Sequence, residues 1–300
     1  MASPTIAITG ASGFLGTTLV RYFADKGWHV VGLVMDPEQR PALTNIEYRR
    51  YELNQPLSKN ALRGVDYLVH AAYSKEGSAQ DILDTNVAGA RRLFEAAHAA
   101  GVQKIIFISS MSSHAAAVSA YGRQKFTVEQ LLDPAKDIAI RPGLILGQGG
   151  IVQSMVGFMR RVHVVPLVGG GKQPIQVVRR EEIAQAIDSC IGRRLHGVFT
   201  VASTTVYTYK QFYKTLANSI RTPVLFIPLP FPFLLAATRL IGFLHLPIGV
   251  SADSVLGLKK LISVDTKADL QKLHLEVADL ATSLRQVFAE SDAASHPSVK

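Results

Sequence analysis

The sequence predicts a doubly wound α/β fold, in which a Rossmann-type parallel sheet is followed by a smaller C-terminal part. Strand-like and helix-like segments alternate from residue 5 to about residue 145. Strands joined through helices form parallel sheets with right-handed crossovers. A glycine-rich turn follows the first predicted strand, and the fourth is apolar nearly throughout, which is typical of a strand covered on both faces. We therefore expect the main domain over residues 1–150.

Each element of this domain has its own local signal. The first strand, TIAIT, leads into FLGTTLVRYFADKG, whose apolar spacing predicts a helix that ends at Gly27. The later strands are predicted at HVVGLV, IEYRRYEL, VDYLVHAAY, QKIIFISS and DIAIRPG. The later helices are predicted at DILDTNVAGARRLFEAAHAAG, which would end at Gly101, and at YGRQKFTVEQLL.

The pattern loosens after Gly147. We expect residues 151–290 to form a smaller substrate-binding cap that is interleaved with the main domain. Its helices are predicted at GIVQSMVGFMRRV, REEIAQAIDSCIG, TYKQFYKTLANSI and EVADLATSLRQVFAE, and a strand at GVFTVA. Residues 291–300 are expected to form a disordered tail.

A long apolar segment covers residues 224–250. Four prolines and Arg239 interrupt it, and its proline-free piece from Phe233 to Leu246 is shorter than the roughly 20 residues that span a membrane. We interpret the segment as a buried or substrate-covering helix. A helix lying on a membrane surface is the alternative.

Composition narrows the function classes. A net charge of +9 favours anionic ligands or surfaces, but the arginine pairs are scattered and form no basic tract, which argues against nucleic-acid binding. The single cysteine, Cys190, excludes an internal disulfide framework and is expected in the core. The N-terminus has neither the basic nor the apolar region of a signal peptide, so a cytoplasmic location is expected. No metal site is predicted.

The turn after the first strand, TGASGFLG, spaces Gly10, Gly13 and Gly16 evenly between a predicted strand and a predicted helix. Glycines let the backbone turn tightly and approach a pyrophosphate. The N–H groups and the dipole at the start of the following helix favour negative charge. Because the turn lies in this context, we predict that it binds a dinucleotide.

The stretch SAYGRQK places Tyr121 four residues before Lys125. On a helix these two positions share a face, and a nearby cation lowers the pKa of a tyrosine. The pair could then exchange protons near neutral pH. An ordinary surface helix with a half-buried tyrosine and a solvated lysine is the alternative.

Together these motifs resemble the extended branch of the short-chain dehydrogenase/reductase superfamily, the NAD(P)-dependent epimerase/dehydratase-like branch. The segments TGASGFLG, VDYLVHAAY, NVAGARRLFEAAHAAGVQKIIFISS, YGRQK and RPGLILGQGG are similar to its motifs, in the same order, over about residues 5–150. The resemblance continues more weakly through PLVGGGKQPIQVVRREEIAQAI. It implies an NAD(P)-dependent oxidoreductase or epimerase-like enzyme that transfers a hydride at a hydroxyl or carbonyl carbon.

The resemblance also implies roles for individual residues. Tyr121 would be the general acid/base, and Lys125 would lower the pKa of Tyr121 and hydrogen-bond the nicotinamide ribose. Ser110 would hold the substrate oxygen, with its neighbour Ser109 as the alternative. Asn86 would anchor the active site near Lys125, unless it is an ordinary helix asparagine.

Cofactor contacts follow from the same motifs. His70 is expected to be a packed motif residue, and Ser74 is expected near cofactor or substrate. The residues implied to contact the cofactor are Gly10, Ser12, Gly13, Phe14, Leu15, Gly16, Met35, Arg40, Glu52, Leu53, Ala71, Ala72, Tyr73, Tyr121, Lys125 and Pro142.

Three departures from the family pattern matter. The second strand ends at Val34, without the acid that NAD-specific relatives place there, and Asp36 follows two residues later. With Arg40 as the nearest cation, this favours NADP(H) over NAD(H). Glu52 replaces the aspartate that contacts adenine in relatives. Only about eleven residues lead from Ser110 to Tyr121, fewer than in sugar-nucleotide epimerases.

The partner is expected to be a small molecule. A nucleotide-sugar suits the positive charge, and a lipophilic carbonyl compound suits the apolar segment at residues 224–250. Members of this family often pair through two long helices, so a homodimer is expected. The competing function is a dinucleotide-binding regulatory or scaffold protein without turnover.

Overall fold

A seven-stranded parallel sheet forms the centre of the computed structural model, which describes residues 3–41, 43–58, 60–75, 77–230 and 262–295. The strands lie in the order β3, β2, β1, β4, β5, β6, β11. The order reverses between β1 and β4, as in a doubly wound sheet, so the predicted fold class is confirmed. The strands are β1 Thr5–Thr9, β2 His29–Val34, β3 Ile46–Arg50, β4 Tyr67–His70, β5 Lys104–Ile108, β6 Ile138–Pro142 and β11 Gly197–Val201.

Helices cover both faces of the sheet. Strand residues alternate between the two layers: Ile6 and Ile8 pack in one apolar cluster and Ala7 in the other, and all three are fully buried. The first layer contains α1 Gly16–Asp25, α5 Arg180–Gly192 and α7 Lys267–Leu273, and the second contains α2 Ala79–Ala99 and α3 Ala120–Glu129.

Local signals set the ends of the helices that carry the site. Ser78 and Asp81 form a capping box at the start of α2. Ser119 caps α3, its hydroxyl oxygen accepting a hydrogen bond from the Gly122 N–H at 3.1 Å. Gly27 and Gly101, with φ of +80° and +78°, follow α1 and α2 as predicted.

The second half of the chain builds a third apolar core and also returns to the main sheet. The predicted helices at residues 150–162 and 180–192 are confirmed with the same bounds, as α4 and α5. Because α5 packs on α1 and β11 pairs with β6, part of this half belongs to the main layers. Its other elements are β7 Leu144–Leu146, α4 Gly150–Val162, β8 Val164–Val168, β9 Pro174–Ile175, β10 Val177–Arg179, β12 Tyr207–Thr208, α6 Tyr209–Ser219, β13 Leu225–Leu229 and α8 Leu280–Ser295.

Two predictions concern the C-terminal region. In the apolar segment, the described part forms strand β13, which pairs with β8, and the predicted helix from Phe233 to Leu246 lies outside the described residues. Helix α8 continues to Ser295, within the range expected to be a disordered tail, and the tail stays a prediction. Within the described ranges, no helix is both long and apolar enough to cross a membrane.

Candidate active site

The glycine turn lies where the order of the sheet reverses, between the ends of β1 and β4. Gly10 has φ of +66°, and a Cβ there would lie 3.1 Å from the Cα of Ala72. A Cβ on Gly16 would overlap the Gly10 carbonyl oxygen. The Thr9 hydroxyl oxygen accepts hydrogen bonds from the N–H groups of Ala71 and Ala72, both at 3.1 Å. The two strand ends are thus locked together around a turn that only glycine fits.

The geometry of this turn suits an anion. The Gly13 N–H donates to the Gly10 carbonyl at 2.8 Å, and the Thr17 N–H donates to the Gly13 carbonyl at 3.0 Å. Helix α1 then begins at Gly16 with no acidic residue in its first turn. The dipole of α1 places a partial positive charge at this end of the helix. These residues fit the pyrophosphate of a dinucleotide.

Phe14 turns its side chain away from this backbone. Its ring packs against the backbone of Gly149 and Gly150, and the Arg180 guanidinium lies 5.6 Å from the ring centroid. Phe14 therefore joins the turn to the loop that precedes α4. Ser12 and Leu15 complete the turn, Ser12 exposed and Leu15 buried.

The residues predicted at the adenosine end lie along the edge formed by β2 and β3. Met35 is 63% exposed, and the exposed Asp36 and Arg40 flank a short 3-10 turn. Glu52 is paired with Arg50 at 2.6 Å. The Leu53 carbonyl accepts a hydrogen bond from Arg92 at 2.7 Å and faces Gly89 of α2.

Tyr121 lies in the first turn of α3 beside Ser110. Tyr121 is 38% exposed, and its ring meets Tyr73 edge to face with centroids 5.4 Å apart. The protein atoms around its hydroxyl raise the pKa of Tyr121, and a hydrogen bond with Ser110 partly opposes that rise. Ser109, in contrast, is buried and donates its hydroxyl to Glu129. Of the two serines, Ser110 therefore lies next to Tyr121.

Lys125 is buried beneath Tyr121, so the alternative of a solvated lysine is wrong. Its ammonium donates to the Ile108 carbonyl at 2.8 Å and lies 4.7 Å from the Phe107 ring centroid and 5.9 Å from that of Tyr121. Burial lowers the pKa of Lys125 to about 8, and the charge of Glu129 opposes this.

The expected effect of Lys125 on Tyr121 differs in the structure. The pKa of Tyr121 is raised, not lowered, and the hydrogen bond with Ser110 only reduces that rise. The physical reason is position: the protein atoms around the Tyr121 hydroxyl raise its pKa, while the Lys125 ammonium donates to the Ile108 carbonyl.

Asn86 holds the loop after β4 from two sides. Its amide nitrogen donates to the carbonyls of Ser74 and Ile82, at 2.9 and 2.7 Å, and its oxygen accepts from the Ser74 N–H at 2.8 Å. Gln124 also donates to the Ile82 carbonyl, at 2.6 Å. Asn86 is thus a clamp within the site, and its neighbours in one small cavity are His70, Ala72, Tyr73, Phe107, Gln124, Lys125 and Val128.

His70 is a packed residue, as expected. The Thr9 hydroxyl oxygen already accepts two N–H bonds, so its proton is donated to Nδ1 of His70 at 2.8 Å. Burial, followed by the charge of Lys125, lowers the pKa of His70 to about 3. The ring is therefore neutral and carries its proton on Nε2.

Sequence reasoning missed the buried charges behind the site. Glu129 lies one turn after Lys125, and its carboxylate accepts hydrogen bonds of 2.9 and 2.5 Å from Arg141. Its spacing of four residues from Lys125 was a signal that could have found it. Pro142 ends β6, and its carbonyl accepts from the Met111 N–H at 3.2 Å.

Two further expectations concern cysteine and metals. Cys190 is buried on α5, and burial raises the pKa of its thiol to about 12, which suits a core residue. In the part of the chain that the structure describes, no cluster of three His, Cys, Asp or Glu side chains could hold a metal ion.

Comparison with known proteins gives consistent matches. The model of the NAD dependent epimerase/dehydratase family matches residues 6–193. A ceramide reductase from Caulobacter vibrioides is 27% identical over 249 residues, which cover 80% of this chain and 78% of that one. NADH dehydrogenase [ubiquinone] 1 alpha subcomplex subunit 9 of Arabidopsis thaliana is 22% identical over 91% of this chain and 72% of its own.

Solved structures share the fold. MoeE5 in complex with UDP-glucose and NAD superposes with a TM-score of 0.72 at 19% identity, covering 96% of this chain and 99% of its own. At this identity the likeness supports the architecture alone.

Proposed function

Because this chain belongs to the NAD dependent epimerase/dehydratase family and is an NAD(P)-dependent enzyme of the extended short-chain dehydrogenase/reductase type, we propose that it reduces the carbonyl group of a lipophilic substrate. The observation that carries this proposal is the Tyr121 hydroxyl beside Ser110, above the buried Lys125 ammonium. A tyrosine whose pKa is raised stays protonated at neutral pH, which suits a proton donor.

The chain's own residues would perform the proton chemistry. When bound, NAD(P)H supplies the hydride for the carbonyl carbon. Ser110 would hold the carbonyl oxygen, and Tyr121 would donate its proton to that oxygen as negative charge develops, which completes the alcohol. The Lys125 ammonium would then stabilise the tyrosinate that remains. In the reverse direction, Tyr121 would take the proton back.

The other site residues would position these groups. Asn86 would fix the loop that carries Tyr73 and Ser74, and therefore one wall of the site. The turn residues Gly10, Ser12, Gly13, Phe14, Leu15 and Gly16 would bind the pyrophosphate, largely through backbone N–H groups. Along the rest of the cofactor, contacts are proposed for Met35, Arg40, Glu52, Leu53, Ala71, Ala72, Tyr73 and Pro142.

NADP(H) is the proposed cofactor, although the family is described as NAD dependent. The buried Val34 stands where an acid would bind the ribose hydroxyls, and the exposed Arg40 is available to a 2′-phosphate. We expect an Arg40→Ala variant to weaken NADPH binding at least tenfold and NADH binding less than twofold, as measured by fluorescence titration. Equal weakening of both cofactors would contradict this assignment.

The substrate class rests on two observations. The relative named ceramide reductase matches most of both chains, and the loop between Ser110 and Tyr121 is short and rich in small residues. Both favour a lipophilic carbonyl compound over a nucleotide-sugar. A homodimer and a contact with a membrane surface stay predictions.

A substrate panel tests the proposal. Purified protein and NADPH would be offered ketones and aldehydes with acyl chains of increasing length, and UDP-sugars in parallel. We expect NADPH oxidation with the acyl compounds, and a kcat/KM that rises with chain length. If only UDP-sugars were turned over, the substrate would be a nucleotide-sugar and not a lipophilic carbonyl compound. Tight cofactor binding without turnover of any compound would contradict the proposed carbonyl reduction and favour a dinucleotide-binding regulatory protein.

A further inference from the structure

A buried pair of opposite charges lies directly behind the proposed active site. The side chain of Glu129 is only 3% exposed, and its carboxylate accepts two hydrogen bonds from the Arg141 guanidinium, at 2.9 and 2.5 Å. Ser109 donates its hydroxyl to the same carboxylate. A buried carboxylate is costly unless it is paired and hydrogen-bonded, and this one is both.

The pair is connected to Lys125 by the geometry of α3. Glu129 follows Lys125 by four residues, so the two side chains lie on the same face of the helix. Arg141 lies on β6, the sheet neighbour of β5, and Lys125 donates to the last residue of β5, Ile108. The carboxylate is thus paired with Arg141 and is near enough to Lys125 for its charge to act on the ammonium.

No other acid faces Lys125 in the described part of the chain. The titratable groups around it are Tyr121 on the same helix, His70 on β4 and Tyr73 in the loop after β4. None of these is negatively charged at neutral pH. Among the described residues, the negative charge that supports the Lys125 ammonium is that of Glu129.

We propose that Glu129 is a positioning residue that keeps Lys125 protonated and so sets the highest pH at which the active site works. Arg141 weakens this effect of Glu129 on Lys125. The inference rests on the proposed function only for the role of Lys125 in the reaction. The charge relationship itself can be measured without turnover.

The two partners should act in opposite directions. In Glu129→Gln the negative charge is lost and Arg141 remains, so Lys125 should lose its proton at lower pH. In Arg141→Gln the negative charge is no longer offset, so Lys125 should hold its proton to higher pH. A purely structural ion pair would cost stability in both variants without this opposite shift.

The chain offers a matched control in a second buried ion pair. Glu182 on α5 is 1% exposed at its side chain and pairs with Arg179 at 3.2 Å, in the layer opposite α3. Glu182→Gln should cost stability without changing the titration of Lys125. Glu129→Asp retains the charge and should shift the midpoint by less than half as much as Glu129→Gln.

The experiment is a titration of the lysine ε-carbons by NMR in the full chain labelled with ¹³C-lysine, with the Lys125 signal assigned from a Lys125→Met spectrum. We expect a wild-type midpoint near 8, a midpoint lower by about one unit in Glu129→Gln, and a higher one in Arg141→Gln. An unchanged midpoint in folded Glu129→Gln, or shifts of both variants in one direction, would overturn the proposal.

Folding of each variant is checked by circular dichroism. If Glu129→Gln does not fold, an upward shift in Arg141→Gln supports the proposal and an unchanged midpoint overturns it. If the proposed reaction is wrong, activity assays fail while these shifts persist, so the two failures are distinguishable.

Discussion

At the residue scale, we expect the adjacent serines to have different roles: Ser109 stabilises the fold and Ser110 takes part in the reaction. Ser109 donates to the buried Glu129, so we expect Ser109→Ala to lower the free energy of unfolding by about 1–3 kcal/mol. Ser110 lies beside Tyr121, so Ser110→Ala should lower kcat about 10²-fold and lower the free energy of unfolding by less than about 1 kcal/mol. Urea denaturation and initial rates check this, and the reverse pattern would exchange the assigned roles.

Lys125 gives a second prediction at this scale, in the pH dependence of stability. Its folded pKa of about 8 lies below the ordinary 10.5, so the unfolded chain binds more protons between these values. The cost of burying the ammonium is present in full below pH 8 and is relieved as the pH rises. We expect wild type to gain about 2 kcal/mol relative to Lys125→Met between pH 7 and pH 10. Urea denaturation measures the gap, and a gap that does not change with pH would show that the pKa of Lys125 is the same in the folded and the unfolded chain.

The element scale contains the phosphate turn. A Cβ on Gly16 would overlap the Gly10 carbonyl oxygen, so Gly16→Ala must move the turn away from its present path. We expect at least tenfold weaker cofactor binding, measured by fluorescence titration. Gly157→Ala on α4 is the control, because nothing lies within 4 Å of the added Cβ. It should leave binding unchanged and add about 0.5–1 kcal/mol of stability.

Some helices and strands could be predicted from the sequence and others could not. Helices α4 and α5 were predicted with the correct bounds because each has a long apolar face bounded by glycine or charged residues. Strands β9 and β12 contain two residues each, too few to show any periodicity. The choice between Ser109 and Ser110 also required the structure. Neighbouring residues of a strand point to opposite faces of the sheet, so an error of one residue in the predicted strand selects the wrong serine.

The spacing of the charged residues is visible in the sequence, but their burial is not. The YxxxK spacing predicted Tyr121 and Lys125, and the structure has Ser110 beside Tyr121 and Asn86 in one cavity with Lys125. The burial of Lys125 depends on Phe107 and Ile108, which come from a different element. A pKa depends on such contacts in three dimensions, so the expected lowering for Tyr121 became a rise.

At the scale of the whole molecule, the two halves of the chain share one core. Strand β11 completes the sheet beside β6, and Ile183 and Ile187 of α5 are fully buried in the same apolar cluster as α1. A fragment of residues 1–150 would expose that cluster. We expect the fragment not to fold, and the full chain to unfold in one transition by calorimetry. A folded fragment with dispersed NMR signals would contradict this shared core.

The most direct test of the account compares Tyr121→Phe with Tyr209→Phe on the best substrate of the carbonyl panel. Tyr209 is a partly buried tyrosine on α6 whose pKa is raised to about 12, mainly by its burial, so it is the matched control. We predict that Tyr121→Phe lowers kcat about 10²- to 10⁴-fold with the NADPH dissociation constant unchanged, while Tyr209→Phe keeps kcat within threefold. A Tyr121→Phe enzyme with wild-type kcat would contradict the assignment of Tyr121 as proton donor.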